Sequence, residues 1–311
     1  SNMIFYIEEP ENHLHPGMQR IFLEALMREE FNSFQYYITT HSNHFLDLTL
    51  DYESISIYTF KKDKQVYVIE NVNSSNHNAL ELLGVRNSSV FLSNCTIWVE
   101  GITDRLYLKK YFDIYQQRQI DDGLITSKYL EDIHYSFVEY GGGNITHWSF
   151  LDNEDEPDEE TRMNVERICS KLFLVTDNDN AKGAKLARHE LLEKNLGDRY
   201  YCLEGKEIEN TLKKDIIRKY VEEREKNNTD LVFTRFNKAA HEKVSIGQFI
   251  EKNVDKLKFK YTDSSSKTGT ISNKVEFCKK CTSHITEYAH LSDEAIQISK
   301  KLFDFIKQSN R

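Results

Sequence analysis

No apolar run in the 311 residues approaches the length needed to cross a bilayer, and nothing resembles a secretory signal. The expected setting is soluble, cytoplasmic and without a membrane partner. Cysteine is scarce: five residues, an odd number at irregular spacing, argue for reduced thiols and against a disulfide framework. No internal repeat stands out. No G-x-x-x-x-G-K-[ST] string occurs, so the glycine loop and lysine that cradle nucleotide phosphates are missing. ATP binding or hydrolysis by this chain alone is therefore not expected. Basic residues are not in excess either: 41 Lys and Arg against 50 Asp and Glu give a net charge of −9. In bulk that disfavours nucleic acid. Binding depends on local patches, however, and carboxylates that hold metal are counted here as bare negative charge.

What is present is a globular composition, 39% hydrophobic and 29% charged, on a chain long enough for two domains with sizeable cores. Ser1-Asn2 ahead of Met3 reads as a cloning scar, and a chain that opens directly on an apolar strand reads as a fragment.

The stretch that organises the rest is TIWVEGITDRLYLKKY, residues 96–111. Its first four residues are β-branched, aromatic and apolar, the pattern of a buried strand. The run ends on Glu100 and Gly101, and from Ile102 the apolar spacing turns helical, with Asp104 on the first turn. Open α/β sheets place their ligands at such carboxyl strand ends. A second apolar run, residues 172–175, ends in Asp177 and Asp179. Two carboxylates at i and i+2 facing a third from another strand repel, and raise each other's pKa unless a cation lies between them. The expected cation is a hard divalent ion, Mg²⁺ or Mn²⁺, on oxygen ligands. Glu207 and Glu209 stand at a further strand-to-helix transition, where a helix-start acid is also favoured by the macrodipole.

Residues 3–7 read as a buried strand, followed by Glu8, Glu9 and Pro10, a helix over 17–30, a strand at 36–39 and then Thr40-His41-Ser42. That is a βαβ unit with polar groups at its strand ends. Residues 55–60 and 65–70 alternate as a hairpin that would finish its sheet. Residues 71–78 read as a polar loop, 79–85 and 90–92 lead onward, and a domain boundary is expected near 91–95.

Further on, residues 133–140 alternate as a strand before Gly141-Gly142-Gly143-Asn144, which reads as a close backbone approach or as a tight turn. Residues 152–161 are a strongly acidic run, expected to be a solvated loop or a helix N-terminus and not a metal site. A helix is expected over 181–195, carrying Lys182, Lys185 and Arg188, then a strand over 199–203 and a helix over 211–224. From residue 230 the chain is expected to be mostly helical and lysine-rich, with Lys256, Lys258 and Lys260 alternating, a polar loop over 261–270, and Lys274 at a helix start. Cys278, Cys281 and His284 share a helix. Zinc needs four ligands and no second pair follows, so small core-facing residues are the expectation.

A strand-end Glu followed by Gly, an acid four residues after that Glu, and a later apolar strand ending in Asp-x-Asp resemble the Toprim domain. That domain is shared by topoisomerases, bacterial primases and several nucleases. The string Glu8-Glu9-Pro10-Glu11-Asn12-His13-Leu14-His15-Pro16, with Thr40-His41-Ser42 after it, resembles the Walker B, D-loop and His-switch half of an ABC-type ATPase, especially that of the OLD nucleases. No Leu-Ser-Gly-Gly signature accompanies it. The resemblance implies an α/β protein in three parts. Residues 1–92 would be the C-terminal portion of an ATPase domain. Residues 93–225 would be the Toprim core, a Rossmann-like, mainly parallel sheet flanked by helices. Residues 226–311 would be a helical region completing the site.

The same resemblance implies roles. Glu8 takes the place of the Asp that holds Mg²⁺ through water, a departure since Asp is the commoner residue. Glu9 would polarise the attacking water and His41 would sense the γ-phosphate, with ATP a ligand of the full-length protein only. Glu100, Asp177 and Asp179 would hold one Mg²⁺ or Mn²⁺. Asp104 with Glu209, which fits an Ile-Glu-Asn string, or with Glu207, would hold a second about 4 Å away. Lys274, with Lys267 as its rival, would neutralise the phosphate charge. Lysines of the last third and of the helix after Asp179 would grip the DNA backbone. The implied activity is a metal-dependent DNA endonuclease serving phage defence or DNA repair, as a homodimer or higher oligomer, with a defence-system protein as a further partner. Two other readings stay open: topoisomerase or primase chemistry at the same fold, and a non-catalytic DNA-binding module of an ABC-type machine.

Overall fold

A computed structural model of the chain describes residues 3–28, 30, 31, 33–40, 42, 45, 55–63, 66–72, 94–141, 148, 149, 163, 164, 171–233, 235–264 and 268–310. His41, Lys267, Gly142–Asn144 and the acidic run over 152–161 lie outside the described residues, as do residues 73–93. The chain divides into two compact units. One is Ser1–Asn94 with Leu130–Ser136; the other is Cys95–Tyr129 with Phe137–Arg311.

In the first unit, β1 (Ile4–Glu8) and β2 (Gln35–Thr39) pair in parallel, with Ile4 opposite Gln35 and Glu8 opposite Thr39. Helix α1 (Pro16–Leu26) joins them, opening on a proline whose missing N–H costs nothing at a first helical position. The helix stops at Leu26, short of the expected residue 30. Strands β3 (Ile57–Asp63) and β4 (Val66–Val72) form an antiparallel hairpin. Among the described residues this hairpin is a sheet of its own and does not extend the β1–β2 sheet, contrary to the expectation. The two strands pair along their inner edges in the antiparallel register that a short connection favours.

The returning segment Leu130–Ser136 belongs to this first unit through a buried ion pair. Arg20 on α1 donates from Nε to Asp132 Oδ2 at 2.9 Å and lies 3.4 Å from Glu131 Oε2. Gly17 is needed at the contact: a Cβ there would fall 2.2 Å from Ile133 Cγ1.

The second unit is built on β5 (Thr96–Val99), α2 (Ile102–Asp121), β6 (Ser136–Glu139), β9 (Leu172–Thr176), α3 (Ala184–Leu196) and β10 (Tyr200–Cys202). Between β6 and β9, the two-residue strands β7 (Trp148–Ser149) and β8 (Met163–Asn164) pair with each other. The main sheet runs β10-β9-β5-β6. Strand β9 lies parallel to β5, with Trp98 opposite Leu174, and parallel to β10, with Tyr201 opposite Val175. This is an α/β fold of Rossmann-like character. Both central strands are buried along their whole length, which is why they read as unbroken apolar runs. Trp98, Leu108, Phe112, Phe173 and Leu174 are shut off from solvent in the core.

Strand β6 starts at Ser136, three residues later than the alternation predicts. Asp132 takes a left-handed φ of 63° and its N–H bonds Tyr135 O at 2.7 Å, so residues 132–135 form a turn. After β10 come a 3₁₀ turn (Ile208–Thr211), α4 (Lys214–Arg224), α5 (Ile246–Asn253), α6 (Lys274–Ser283) and α7 (Asp293–Ser309). Long irregular connections separate α4, α5 and α6, so the region beyond residue 230 is less helical than expected. Carboxylates replace the helical hydrogen bonds: buried Glu225 accepts from Lys258 N and Phe259 N, and exposed Glu251 accepts from Tyr261 N and Thr262 N. Among the described residues no helix is long and apolar enough to cross a membrane.

Candidate active site

From β5 the chain moves outward to β6; from β9 it moves the opposite way to β10. The carboxyl ends of β5 and β9 therefore flank a point where the connections diverge, which in open α/β sheets opens a crevice. The register places Glu100, one residue past β5, level with Thr176 on a strand about 4.8 Å away. Asp177 follows immediately. The two acids leave neighbouring strand tips side by side.

Asp104 arrives from the first turn of α2. Its Oδ2 accepts from Gly101 N at 3.0 Å, so it caps the helix while its carboxylate is buried. Asp179 sits in a tight turn where it and Asn180 both take left-handed φ values, 50° and 54°. Aspartate and asparagine tolerate that conformation better than most side chains. The turn is held from outside: Asp179 N donates to Lys206 O at 2.9 Å, Asn180 Nδ2 donates to Lys243 O at 3.3 Å, and Lys185 on α3 pairs with the Asp179 carboxylate.

Glu207 and Glu209 flank the start of the 3₁₀ turn, and both are buried. Lys274, the first residue of α6, reaches them from the C-terminal region. Its Nζ lies 2.6 Å from Glu207 Oε2 and 3.5 Å from Glu209 Oε2. Lys206 stands on the other side of Glu207, 3.4 Å from Oε1, and also donates to Ser245 Oγ.

The electrostatics express this crowding. Burial, then the charges of Glu209 and Glu100, push Asp104 well above the usual aspartate range. Burial, then Asp104, Glu209 and Glu100, do the same to Asp177. Burial and Asp179 raise Glu100; burial raises Glu209, against the pull of Lys274. Glu207 differs. Burial works to raise it, but Lys274 and Lys206 outweigh that and hold it below the usual range. Burial works to lower Lys274, and Glu209, Glu207 and Asp177 overcome it, so the ammonium stays charged.

The structure thus brings Glu100, Asp104, Asp177, Asp179, Glu207, Glu209 and Lys274 to one end of one sheet. Among the described residues, no three His, Cys, Asp or Glu side chains stand close enough to close on a single ion. The donor set is all oxygen, as hard divalent cations require. Asp177 Oδ1 and Glu209 Oε1 are buried and accept no hydrogen bond, which leaves each with unused ligating capacity.

Lys206 and Asn210 escaped the sequence reading. Asn210 takes Glu207 N on Oδ1 at 2.8 Å and donates from Nδ2 to His241 O at 2.5 Å and Val244 O at 2.9 Å, fixing the acidic turn to the 241–245 loop. The available signal for Lys206 was a lysine directly before a candidate acid. Cys278 and Cys281 are buried free thiols, and His284 turns to Glu223 at 3.0 Å.

In the first unit, Glu8 ends β1 as an exposed residue, and Glu9 follows with φ 42°, its N–H on Thr39 O at 2.9 Å and its Oε2 accepting from Asn12 Nδ2 at 3.0 Å.

Two comparisons bear on these observations. The family model described as AAA ATPase domain matches residues 1–46. The chain is also similar to the protein named Endonuclease GajA from Bacillus cereus (strain HuB5-5), at 23% identity over 245 residues. That alignment covers 64% of this chain and 34% of the relative, so the chain spans about a third of that protein's length.

Proposed function

We propose that this chain carries the catalytic centre of a divalent-metal-dependent DNA endonuclease, a Toprim-type site of the OLD kind, joined to part of an ATP-binding domain. The observation that carries the reading is the gathering of acids from three separate chain segments, plus one charged lysine from a fourth, at the divergence point of a Rossmann-like sheet. Similarity to a protein named as an endonuclease supports it, and an ATPase-domain match over the first residues supports the joined architecture.

Glu100, Asp177 and Asp179 would have to close in from the positions they take here to hold one Mg²⁺ or Mn²⁺, with Asp104 and Glu209 holding the other. Bound there, such ions supply an acidified water and neutralise charge on the phosphate. Lys274 adds a fixed positive charge at the same place, suited to a phosphate that gains negative charge as it is attacked. Lys185 and Lys206 keep the acidic turns in position. DNA is the substrate in this reading, and the complete protein works as a homo-oligomer whose ATP-binding part controls access.

The test is plasmid cleavage by the purified chain with Mg²⁺, Mn²⁺ or Ca²⁺, with Asp177→Ala alongside. Nicked or linear product with Mg²⁺ or Mn²⁺, lost in the variant, is expected. Uncut plasmid that is still retarded on a gel would replace this reading with a DNA-binding module.

A further inference from the structure

Residues 256–260, Lys-Leu-Lys-Phe-Lys, contain an unusual surface. Phe259 is 50% exposed, and Lys256, Lys258 and Lys260 around it are exposed as well. An exposed phenylalanine alone means nothing. Here the backbone beneath it is fixed from below. Glu225, at 1% exposure, accepts from Lys258 N at 3.0 Å, Phe259 N at 3.1 Å and Tyr261 OH at 3.3 Å. Asn228 Nδ2 donates both to Glu225, at 3.0 Å, and to Lys256 O, at 2.9 Å. The ring is thus held outward on a rigid support and does not sit on a loop tip free to fold it away.

A guanidinium stands beside the ring, while the exposed carboxylate of Glu251 faces Lys260 at the edge of the stretch. The Arg224 guanidinium lies 5.8 Å from the Phe259 ring centre and 4.7 Å from that of Tyr261, and donates to Lys260 O at 3.2 Å. Asp255, the acid within the stretch 252–260, pairs with Arg235 at 3.3 Å. The support also adjoins the site described above. Arg224 donates to Ser272 Oγ at 3.4 Å, and Ser272 N donates to Tyr261 O at 2.7 Å, two residues before Lys274.

We infer that residues 256–260, with Phe259 at their centre, form a platform on which single-stranded DNA stacks a base on Phe259 and lays its phosphates along Lys258 and Lys260, next to Lys274. Charge complementarity selects a nucleic acid strand. The aromatic ring selects an unpaired region, because a duplex hides the base faces that stacking needs. A duplex engages the lysines only. The inference rests on the nuclease reading for the strand's course toward Lys274, and on the surface alone for the binding.

The experiment measures anisotropy of a labelled oligothymidylate and of a labelled blunt duplex of the same length, in Ca²⁺, with the full chain. Phe259→Ala is expected to weaken single-strand binding about fivefold or more and duplex binding less than about twofold. Phe259→Trp is expected to restore it. Lys258→Ala and Lys260→Ala should weaken both ligands and each lower the salt slope by about 1. The platform is overturned if Phe259→Ala binds the single strand like wild type, if it weakens both ligands equally, or if wild type binds no oligonucleotide. Circular dichroism checks that each variant folds. Plasmid cleavage run in parallel separates the two claims. Cleavage by a wild type whose single-strand affinity ignores Phe259 sinks the platform and leaves the nuclease. A wild type that never cuts, yet loses single-strand affinity with Phe259→Ala, does the reverse.

Discussion

Lys274 Nζ lies 2.6 Å from Glu207 Oε2, closer than it comes to Glu209. With Lys206 on its other oxygen, Glu207 bridges two lysines, and of the buried acids here it is the one held below the usual carboxylate range. Its geometry suits orienting Lys274 more than holding a cation. Two graded losses are expected in single-turnover cleavage. Lys274→Ala should cost about a hundredfold or more, as removal of a transition-state charge partner does. Glu207→Gln keeps an acceptor for the ammonium and should cost about tenfold, the scale of a supporting residue. Equal losses from both would mean that Glu207 acts on the phosphate or its metal directly.

Asp177 is crowded by Asp104, Glu209 and Glu100 in a buried place, so removing its charge should relieve the metal-free protein while ending cleavage. Asp177→Asn is expected to raise Tm by a few degrees without metal. Saturating Mn²⁺ should stabilise wild type by about 2.7 kcal/mol at a hundredfold excess over Kd, and the variant much less. Differential scanning fluorimetry with and without Mn²⁺ reads both effects, independently of activity. An undiminished Mn²⁺ shift in Asp177→Asn would place the cation elsewhere.

The two central strands were readable because a strand buried on both faces has no polar positions to blur it, and Glu100, Asp104 and Asp177 follow from where those strands stop. Lys274 was reachable only through resemblance, since nothing local tells one lysine at a helix start from another. The wiring by Asn210 and Lys206 depends on loops more than thirty residues away in the chain. Connections after α4 looked helical by composition, yet their backbone is satisfied by Glu225 and Glu251, side chains from other segments. No periodicity carries that information.

The sequence pattern puts residues 133–136 on a strand of the second domain, while the structure groups Leu130–Ser136 with the first unit, where Arg20 pairs with Asp132. Both side chains of the Arg20–Asp132 pair are largely hidden, at 5% and 10% exposure. Cutting a buried pair leaves a charge without its partner, so Arg20→Ala should destabilise the first unit by about 3–5 kcal/mol. Arg20→Lys should recover part of this, because an ammonium keeps the charge but loses the planar fork. Urea unfolding monitored by hydrogen exchange at residues 130–136 locates the effect. A loss below about 1 kcal/mol would put the pair in the class of solvent-screened bridges.

Glu225 offers a test by pH. Burial works to raise its pKa, but hydrogen bonds from Asn228, Lys258, Phe259 and Tyr261 prevail and hold it below the usual glutamate value. A folded pKa below the unfolded one means that the unfolded chain binds the proton more readily. The stabilisation is therefore fully present above the ordinary glutamate value of about 4.3 and is lost as pH falls through the folded value. Glu225→Gln removes the charge at every pH. It should lower stability at neutral pH by about 1.5–3 kcal/mol, the range for hydrogen bonds to a charged acceptor. The gap to wild type should then close as pH drops below about 4, where wild type protonates too. Thermal melts of both proteins across that range decide the matter. If the gap stays constant from neutral to acid, the carboxylate supports the 256–260 backbone by shape alone, and its charge contributes nothing.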